Sequence, residues 1–283
     1  MPGTLYLVPT PIGNLGDLSA RMADTLAQAD FIAAEDTRVT LKLLNHLGLK
    51  KPMVSYYRHN TGESGAAVLS RLLAGESCAL VTDAGTPAIS DPGEELVRQC
   101  AQAGVSVVSI PGPCALVTAL AASGLPTGRF TFEGCLAMNK KNRRAHLEEL
   151  RGETRTMLFY EAPHKLLATL ADLRDTFGPD RRISLCRELT KLHEEIRRTT
   201  LGEAVDWYSA NPPKGEFVLV VEGGAPAAEE APTLESGLAR VSALREDGLS
   251  LRDAARQAAA ELGLSRKALY DLALGKKPSE NGD

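Results

Sequence analysis

No Cys-x-x-Cys occurs among the five cysteines, Cys78, Cys100, Cys114, Cys135 and Cys186, which are odd in number and far apart. Most sit in apolar runs, a pattern that predicts buried free thiols in a reducing compartment rather than disulfides or zinc. No apolar run reaches the ~18 residues of a membrane span. The start, Met1-Pro2-Gly3-Thr4, has no basic stretch ahead of an apolar one, so no signal peptide is expected, and a cytoplasmic enzyme is the default. Positive charge is not in excess. Lys and Arg number 32 against 36 Asp and Glu, a net charge of −4, so any nucleic-acid binding must use local patches. The usual signatures of nucleotide and hydrolytic chemistry are also missing. Without Gly-x-x-x-x-Gly-Lys-Ser/Thr, P-loop hydrolysis is disfavoured, and without Gly-x-Gly-x-x-Gly after the first strand a dinucleotide site is weakened. Neither His-Glu-x-x-His nor a paired Cys/His cluster suggests a catalytic metal. No Gly-x-Ser-x-Gly elbow suggests a hydrolase.

What is present centres on Thr82–Gly93. This stretch follows a short apolar run, Ser77–Val81, that reads as a buried strand. It precedes Glu94–Ala103, where Leu96, Val97 and Cys100 share one helical face. Its roughly eleven residues far exceed the two to six that such a connection needs. Gly85 and Gly93 permit close backbone approach, Pro87 and Pro92 stiffen the loop, and Asp83 and Asp91 offer carboxylates. Loops at the carboxyl ends of parallel strands are where open α/β sheets bind ligands.

The same punctuation recurs along the first half. Strands are predicted at Thr4–Val8, Phe31–Ala34, Met53–Tyr57, Ser77–Val81 and Val105–Ile110, alternating with helices. That alternation predicts a parallel or mostly parallel sheet over residues 1–123. After Gly124–Gly128, strands adjoin strands and residues 124–224 read as a mixed α+β domain. Glu194–Thr200 is placed to pair with Arg182–Arg187, and Met138–Arg155 is basic and polar. Gly223–Pro232 reads as a linker. Beyond it, Leu234–Glu246, Leu251–Leu262 and Arg266–Leu274 read as three helices, the last two joined by a Gly-containing turn as in a helix-turn-helix. From Glu235 to Lys277 there are 8 Lys and Arg against 6 Asp and Glu, which suits either nucleic-acid contact or a packing module.

Glu35, Asp36 and Asp83 are candidate acceptors or general bases; they suit equally the role of helix-start acids favoured by the helix dipole. His59 follows a strand and would titrate near neutral pH if exposed. Lys140, Lys141, Arg143 and Arg144 put four positive charges within five residues, as a solvated segment or a phosphate-contacting loop.

Several runs taken together are similar to the tetrapyrrole methylase superfamily. They are Tyr6-Leu7-Val8-Pro9-Thr10-Pro11-Ile12-Gly13-Asn14-Leu15, Ala33-Ala34-Glu35-Asp36-Thr37-Arg38, His59-Asn60, Thr82–Gly93, Pro111-Gly112-Pro113, Phe159-Tyr160-Glu161 with His164, and Arg187-Glu188-Leu189-Thr190-Lys191. They resemble most the branch that methylates the 2′-hydroxyl of a cytidine in 16S rRNA of the small ribosomal subunit. One departure is Gly134-Cys135-Leu136-Ala137-Met138-Asn139, where that branch more often shows Gly-Phe-Leu-Pro.

The resemblance implies two α/β domains with S-adenosylmethionine between them, a small C-terminal helical module, a homodimer, and no metal or membrane. It implies cofactor contacts from Pro11, Asp83, Gly85, Thr86, Pro87, Ile89, Cys114, Ala115, Tyr160, Glu161 and Leu189. On this reading Glu35 or Asp36 accepts the hydroxyl proton and Arg38 positions a phosphate. His59 and Lys191 serve the acceptor pocket, and Lys140, Lys141, Arg143, Arg144, Arg266 and Lys267 hold RNA. The alternatives are a C-methyltransferase acting on a porphyrin or cobalamin precursor, and an RNA-binding ribosome assembly protein without catalysis.

Overall fold

A computed structural model describes residues 1–57, 61–225 and 232–275. The chain divides into two compact units, Met1–Gly224 and Ala225–Asp283.

The first unit holds two five-stranded sheets. In the first, β1 (Thr4–Leu7), β2 (Phe31–Ala34), β3 (Met53–Ser55), β4 (Cys78–Val81) and β5 (Ser106–Ser109) are all parallel, in the order β3-β2-β4-β1-β5. Helices α1 (Ala20–Gln28), α2 (Thr37–His46), α3 (Thr61–Leu73) and α4 (Glu94–Gln102) connect them. Strand β2 shows why the sheet is covered on both faces: all four of its residues are buried. Phe31 and Ala33 join a core with Leu72, Leu80 and Leu96, while Ile32 and Ala34 join the opposite core with Met22, Leu26 and Leu44. The period of two thus serves two apolar layers, as parallel sheets require.

In the second sheet, β6 (Phe130–Cys135), β7 (Thr156–Glu161), β8 (Arg182–Arg187), β9 (Glu195–Thr200) and β10 (Phe217–Val221) run in the order β6-β7-β10-β8-β9. Only β6 and β7 are parallel; the other pairs are antiparallel. This is the expected mixed sheet, with β9 pairing β8 as anticipated. One face is covered by α6 (Lys140–Glu149), α7 (Pro163–Phe177) and α8 (Leu201–Ala210). The other packs on α5 (Ala115–Ala122), whose Leu116, Ala119 and Leu120 meet Leu158, Cys186, Val218 and Val220. Helix α5, launched from the end of β5, therefore links the first sheet to the second, on which it packs.

The basic stretch after Met138 forms α6, an element its composition concealed. Only Arg143 and Leu147 of this helix are buried, so the apolar period is almost absent. It is started instead by Asn139, whose Oδ1 accepts from the Lys141 and Asn142 amides.

The second unit consists of α9 (Leu234–Glu246), α10 (Leu251–Leu262) and α11 (Arg266–Ala273) around Val241, Leu244, Ala254, Ala255, Ala258 and Leu269. Ser250 and Ser265 cap α10 and α11 as expected, and Gly263 turns the chain between them at φ 66°. Among the described residues no helix is long and apolar enough to cross a membrane.

Candidate active site

The loops at the carboxyl edge of the first sheet are stitched to one another before they meet any ligand. Thr10 and Gly85 exchange both backbone hydrogen bonds, at 2.9 and 3.0 Å, and Thr10 Oγ1 donates to the Thr82 carbonyl. Gly85 takes φ +86°, a conformation open to glycine at little cost. Thr86 Oγ1 donates to Pro113 O at 2.8 Å, tying the central loop to the Pro-Gly-Pro turn that opens α5. At the end of β2 a reciprocal clasp forms. The Asp36 amide donates to Asp83 Oδ1 at 3.1 Å, and the Asp83 amide donates to Glu35 Oε2 at 3.3 Å.

These loops form one wall of a cleft of about 430 Å³ whose other wall is the second sheet. Tyr160, on β7, accepts a hydrogen bond from the Leu116 amide of α5 at 3.2 Å, and its phenol pKa is raised, mainly by burial. Glu161 is buried, and both its oxygens are engaged, by the Ala162 amide and the Thr169 hydroxyl. Lys191 Nζ donates to Glu188 at 2.8 Å and to Glu216 at 2.7 Å. Partial burial pulls its pKa down, but the two carboxylates outweigh that and leave it raised. Its stem lies over Gly13, where a Cβ would come within 2.4 Å of Lys191 Cγ.

Among the described residues four non-glycines have positive φ: Ala88, Ser90, Glu188 and Thr190. They form two pairs, each bracketing an apolar residue that lines the cleft, Ile89 in one loop and Leu189 in the other. Such conformations cost on the order of 1–3 kcal/mol each and collect where a ligand is gripped.

Of the eleven implied cofactor residues, nine line the cleft: Asp83, Gly85, Thr86, Ile89, Cys114, Ala115, Tyr160, Glu161 and Leu189. Pro11 and Pro87 do not, although their neighbours Ile12 and Thr86 do. Of the catalytic candidates, Glu35 and Lys191 line it. Asp36 does not: it caps α2, and its carboxylate takes both Nε and Nη2 of Arg38, the latter at 2.6 Å. Arg38 hydrogen bonding holds the Asp36 pKa at about 2. Arg38 itself is largely exposed outside the cleft. His59 lies outside the described residues.

The basic cluster also separates. Lys140 and Lys141 are exposed at the start of α6, but Arg143 is buried and fails the expectation of a phosphate contact. Its guanidinium pairs with Asp172 at 2.6 Å and donates to the Ala137 and Met138 carbonyls. Arg144, half-exposed, shares Asp172. Arg266 and Lys267 are exposed at the start of α11. The thiols divide as well: Cys78, Cys100 and Cys186 are buried and Cys135 is exposed, while Cys114, Cys135 and Cys186 line the cleft.

Sequence reasoning did not select Glu188, Glu216, Phe217 or Val218 for the cleft, and offered Asp91 only as a loop carboxylate. Glu216, Phe217 and Val218 enter because antiparallel pairing sets Phe217 opposite Glu161 and Arg187, bringing the start of β10 to the ends of β7 and β8. No local signal announces that.

The site fits S-adenosylmethionine. The volume falls within the roughly 300–1,000 Å³ of small-molecule sites. Ile12, Ile89, Ala115, Leu189 and Val218 provide apolar walls, and Asp83 and Asp91 provide acceptors for hydroxyl and ammonium groups.

Solved structures of methyltransferases share this two-sheet arrangement. Cobalt precorrin-4 methyltransferase is 18% identical, with a TM-score of 0.57 over 77% of this chain and 94% of its own. The methyltransferase CobJ is 20% identical, with a TM-score of 0.59 over 79% and 95%. Uroporphyrin-III C-methyltransferase from Thermus thermophilus, solved with S-adenosyl homocysteine, is 18% identical, with a TM-score of 0.55 over 78% and 97%. These likenesses define the class of fold, two α/β lobes with a cleft between them. Residues 4–205 match the Tetrapyrrole (Corrin/Porphyrin) Methylases and residues 231–277 match the RsmI C-terminal HTH domain. A protein of Synechocystis sp. named "Ribosomal RNA small subunit methyltransferase I" is 48% identical over 96% of this chain and 98% of its own. The proteins of that name from Pseudomonas aeruginosa and Escherichia coli O157:H7 are 46% and 45% identical, over 97% and 96% of this chain and 98% and 95% of theirs. The chain belongs to the tetrapyrrole methylase family, in the branch of ribosomal RNA small subunit methyltransferase I.

Proposed function

We propose that this protein transfers the methyl group of S-adenosylmethionine to the ribose 2′-oxygen of a cytidine in the 16S rRNA of the small ribosomal subunit. One observation carries the choice of RNA over a tetrapyrrole. The cobalamin and uroporphyrin enzymes cover 77–78% of this chain, whereas the rRNA enzymes cover 96–97%, including the C-terminal helices. The extra unit is what an RNA substrate would need and a small macrocycle would not.

S-adenosylmethionine supplies an electrophilic methyl carbon on a sulfonium. The chain's own residues orient, exclude water and manage one proton. The central loop Thr82–Gly93 and the start of α5 hold one side of the donor, and Tyr160, Glu161 and Leu189 hold the other. Holding donor and acceptor in line supplies several kcal/mol, up to ~7–11 in ideal cases. Lys140 and Lys141 at the start of α6, with Arg266 and Lys267 on the tail, hold phosphates. The working organisation is residues 1–123, 124–224 and the module 225–283, in a cytoplasmic homodimer.

The test is methyl transfer from labelled S-adenosylmethionine to 30S subunits lacking the modification, with free 16S rRNA and a tetrapyrrole precursor in parallel. Label surviving alkaline hydrolysis as a dinucleotide supports the reading, since a 2′-O-methyl blocks cleavage. Label only in the tetrapyrrole overturns it. Donor binding with no transfer to any of the three favours a non-catalytic assembly role.

A further inference from the structure

We infer that the outer face of α11 is a contact surface for unpaired RNA, on which Tyr270 stacks against a base while Arg266 and Lys267 hold the flanking phosphates. The inference rests on the rRNA substrate proposed above and specifies the form in which the C-terminal unit meets it.

The face follows from the helix period. Leu269 is fully buried, and Ala273, four residues on, packs against the same core, so both turn inward on α9 and α10. Gly237 of α9 makes the seat close: a Cβ there would come within 2.5 Å of Leu269 Cδ2 and 2.7 Å of Leu264 Cδ1. With its inner face so fitted, α11 presents a fixed outer one. Lys267, Tyr270 and Leu274, at i, i+3 and i+7, share that outer side with Arg266 beside them, and all four are exposed. Among the described residues of this unit, Tyr270 and Leu274 are the large apolar side chains left exposed.

Charge selects the partner. Elsewhere in the unit Arg240 is held by Glu261 and Arg256 by Asp253. Arg266 and Lys267 have no ion pair among the described residues. Asp271, partly buried, borders the stripe, and the two cations leave the face positive. A ring and a leucine beside two available cations suit a polyanion that also exposes flat apolar surfaces, which is a nucleic acid with its bases uncovered.

The shape of RNA narrows this further. Residues 231–277 match a helix-turn-helix module, whose second helix reads DNA from the major groove. In an RNA duplex that groove is too deep and narrow for side chains to read. A helix face reaches RNA bases where the strand is unpaired, and there bases stack on aromatic rings while the backbone runs past cations. Every base has a π-face, so Tyr270 supplies affinity and register, not a choice of sequence.

The experiment titrates full-length protein against unmodified 30S subunits and against protein-free 16S rRNA over a range of salt. It compares wild type with Tyr270→Ala, Tyr270→Leu and Tyr270→Phe. Leucine keeps apolar packing without the ring; phenylalanine keeps the ring. Matching helix content and Tm for these two certify the fold. The Ala and Leu variants should lose about 5- to 150-fold in affinity for both targets, the effect of one base–aromatic stack, and Tyr270→Phe should stay within about threefold of wild type. The salt slope should not change in any of them, because no phosphate contact is removed. Wild type should also prefer a single-stranded RNA to a duplex of equal charge, and Tyr270→Leu should erase most of that preference. Tyr270→Leu at wild-type affinity overturns the inference, as does a Tyr270→Phe loss equal to that of Tyr270→Leu. So does a loss seen with 30S subunits and absent with protein-free 16S rRNA, which would give the face to a ribosomal protein. If the wild type methylates no rRNA, the substrate reading has failed; if it methylates rRNA ribose and Tyr270→Leu binds as wild type does, only the assignment to α11 has.

Discussion

The side chains of this cleft are held in one geometry by contacts that admit little change. Lys191 is the plainest case, with its stem on Gly13 and its ammonium on Glu188 and Glu216, while Gly215 leaves no room for a Cβ beside Glu188. The pH dependence follows. The Lys191 hydrogen bond lowers the Glu188 pKa below 4.5, and the Lys191 pKa is raised above 10.5. The carboxylate's share of stability is present above 4.5 and lost as pH falls through its lower folded value. The ammonium's share is present below 10.5 and lost as pH rises through its higher folded value. The difference in Tm between wild type and Lys191→Met should therefore be constant from pH 5 to 10 and shrink beyond either limit. A constant difference down to pH 2 would show that the clamp carries no linkage. Tyr160→Phe tests the opposite wall. It strips the Leu116 amide of its acceptor and should cost about 1–3 kcal/mol in urea denaturation, with weaker donor binding.

At the scale of elements, legibility tracked the source of order. The strands of the first sheet could be read because each is a buried apolar run closed by Gly and Pro, and loop residues such as Asp83, Gly85 and Ile89 fell where the motif put them. Helix α6 could not, since its stability comes from an asparagine cap and an ion pair with a partner 29 positions away, not from a periodic apolar face. For the same reason the basic run gave no hint that Arg143 turns inward while Lys140 and Lys141 stay out. Glu188 and Glu216 were illegible because their meeting depends on the register of β10 between β7 and β8. The Arg143–Asp172 pair is buried, and its loss leaves a charge without a partner. Asp172→Ala should cost about 3–5 kcal/mol in equilibrium denaturation, and adding Arg143→Met should recover much of it. A double variant no more stable than the single would mean that the guanidinium, through the Ala137 and Met138 carbonyls, is what fastens α6.

For the whole molecule the governing fact is that a protein of net charge −4 has to engage a polyanion. The cleft sharpens the problem: among the described residues it is lined by six carboxylates and one lysine, a balance that does not favour phosphates. Attraction has to come from outside it. Of the six basic residues proposed to meet RNA, Arg143 is buried and Arg144 is paired with Asp172, which leaves Lys140, Lys141, Arg266 and Lys267 exposed and without an ion pair among the described residues. Four cations neutralising about four phosphates give a slope of log K against log salt of roughly −3 to −4. Binding to unmodified 30S subunits, measured from low to moderate salt, should show that slope. Lys140→Ala with Lys141→Ala should lower its magnitude by about 2, as should Arg266→Ala with Lys267→Ala, and both pairs together should leave it close to zero. The donor Kd should stay unchanged in all of them, because none of the four lines the cleft. A slope of −8 or steeper would place most of the contacts on other basic residues. One that ignores the tail pair would assign the C-terminal helices to protein contact rather than RNA.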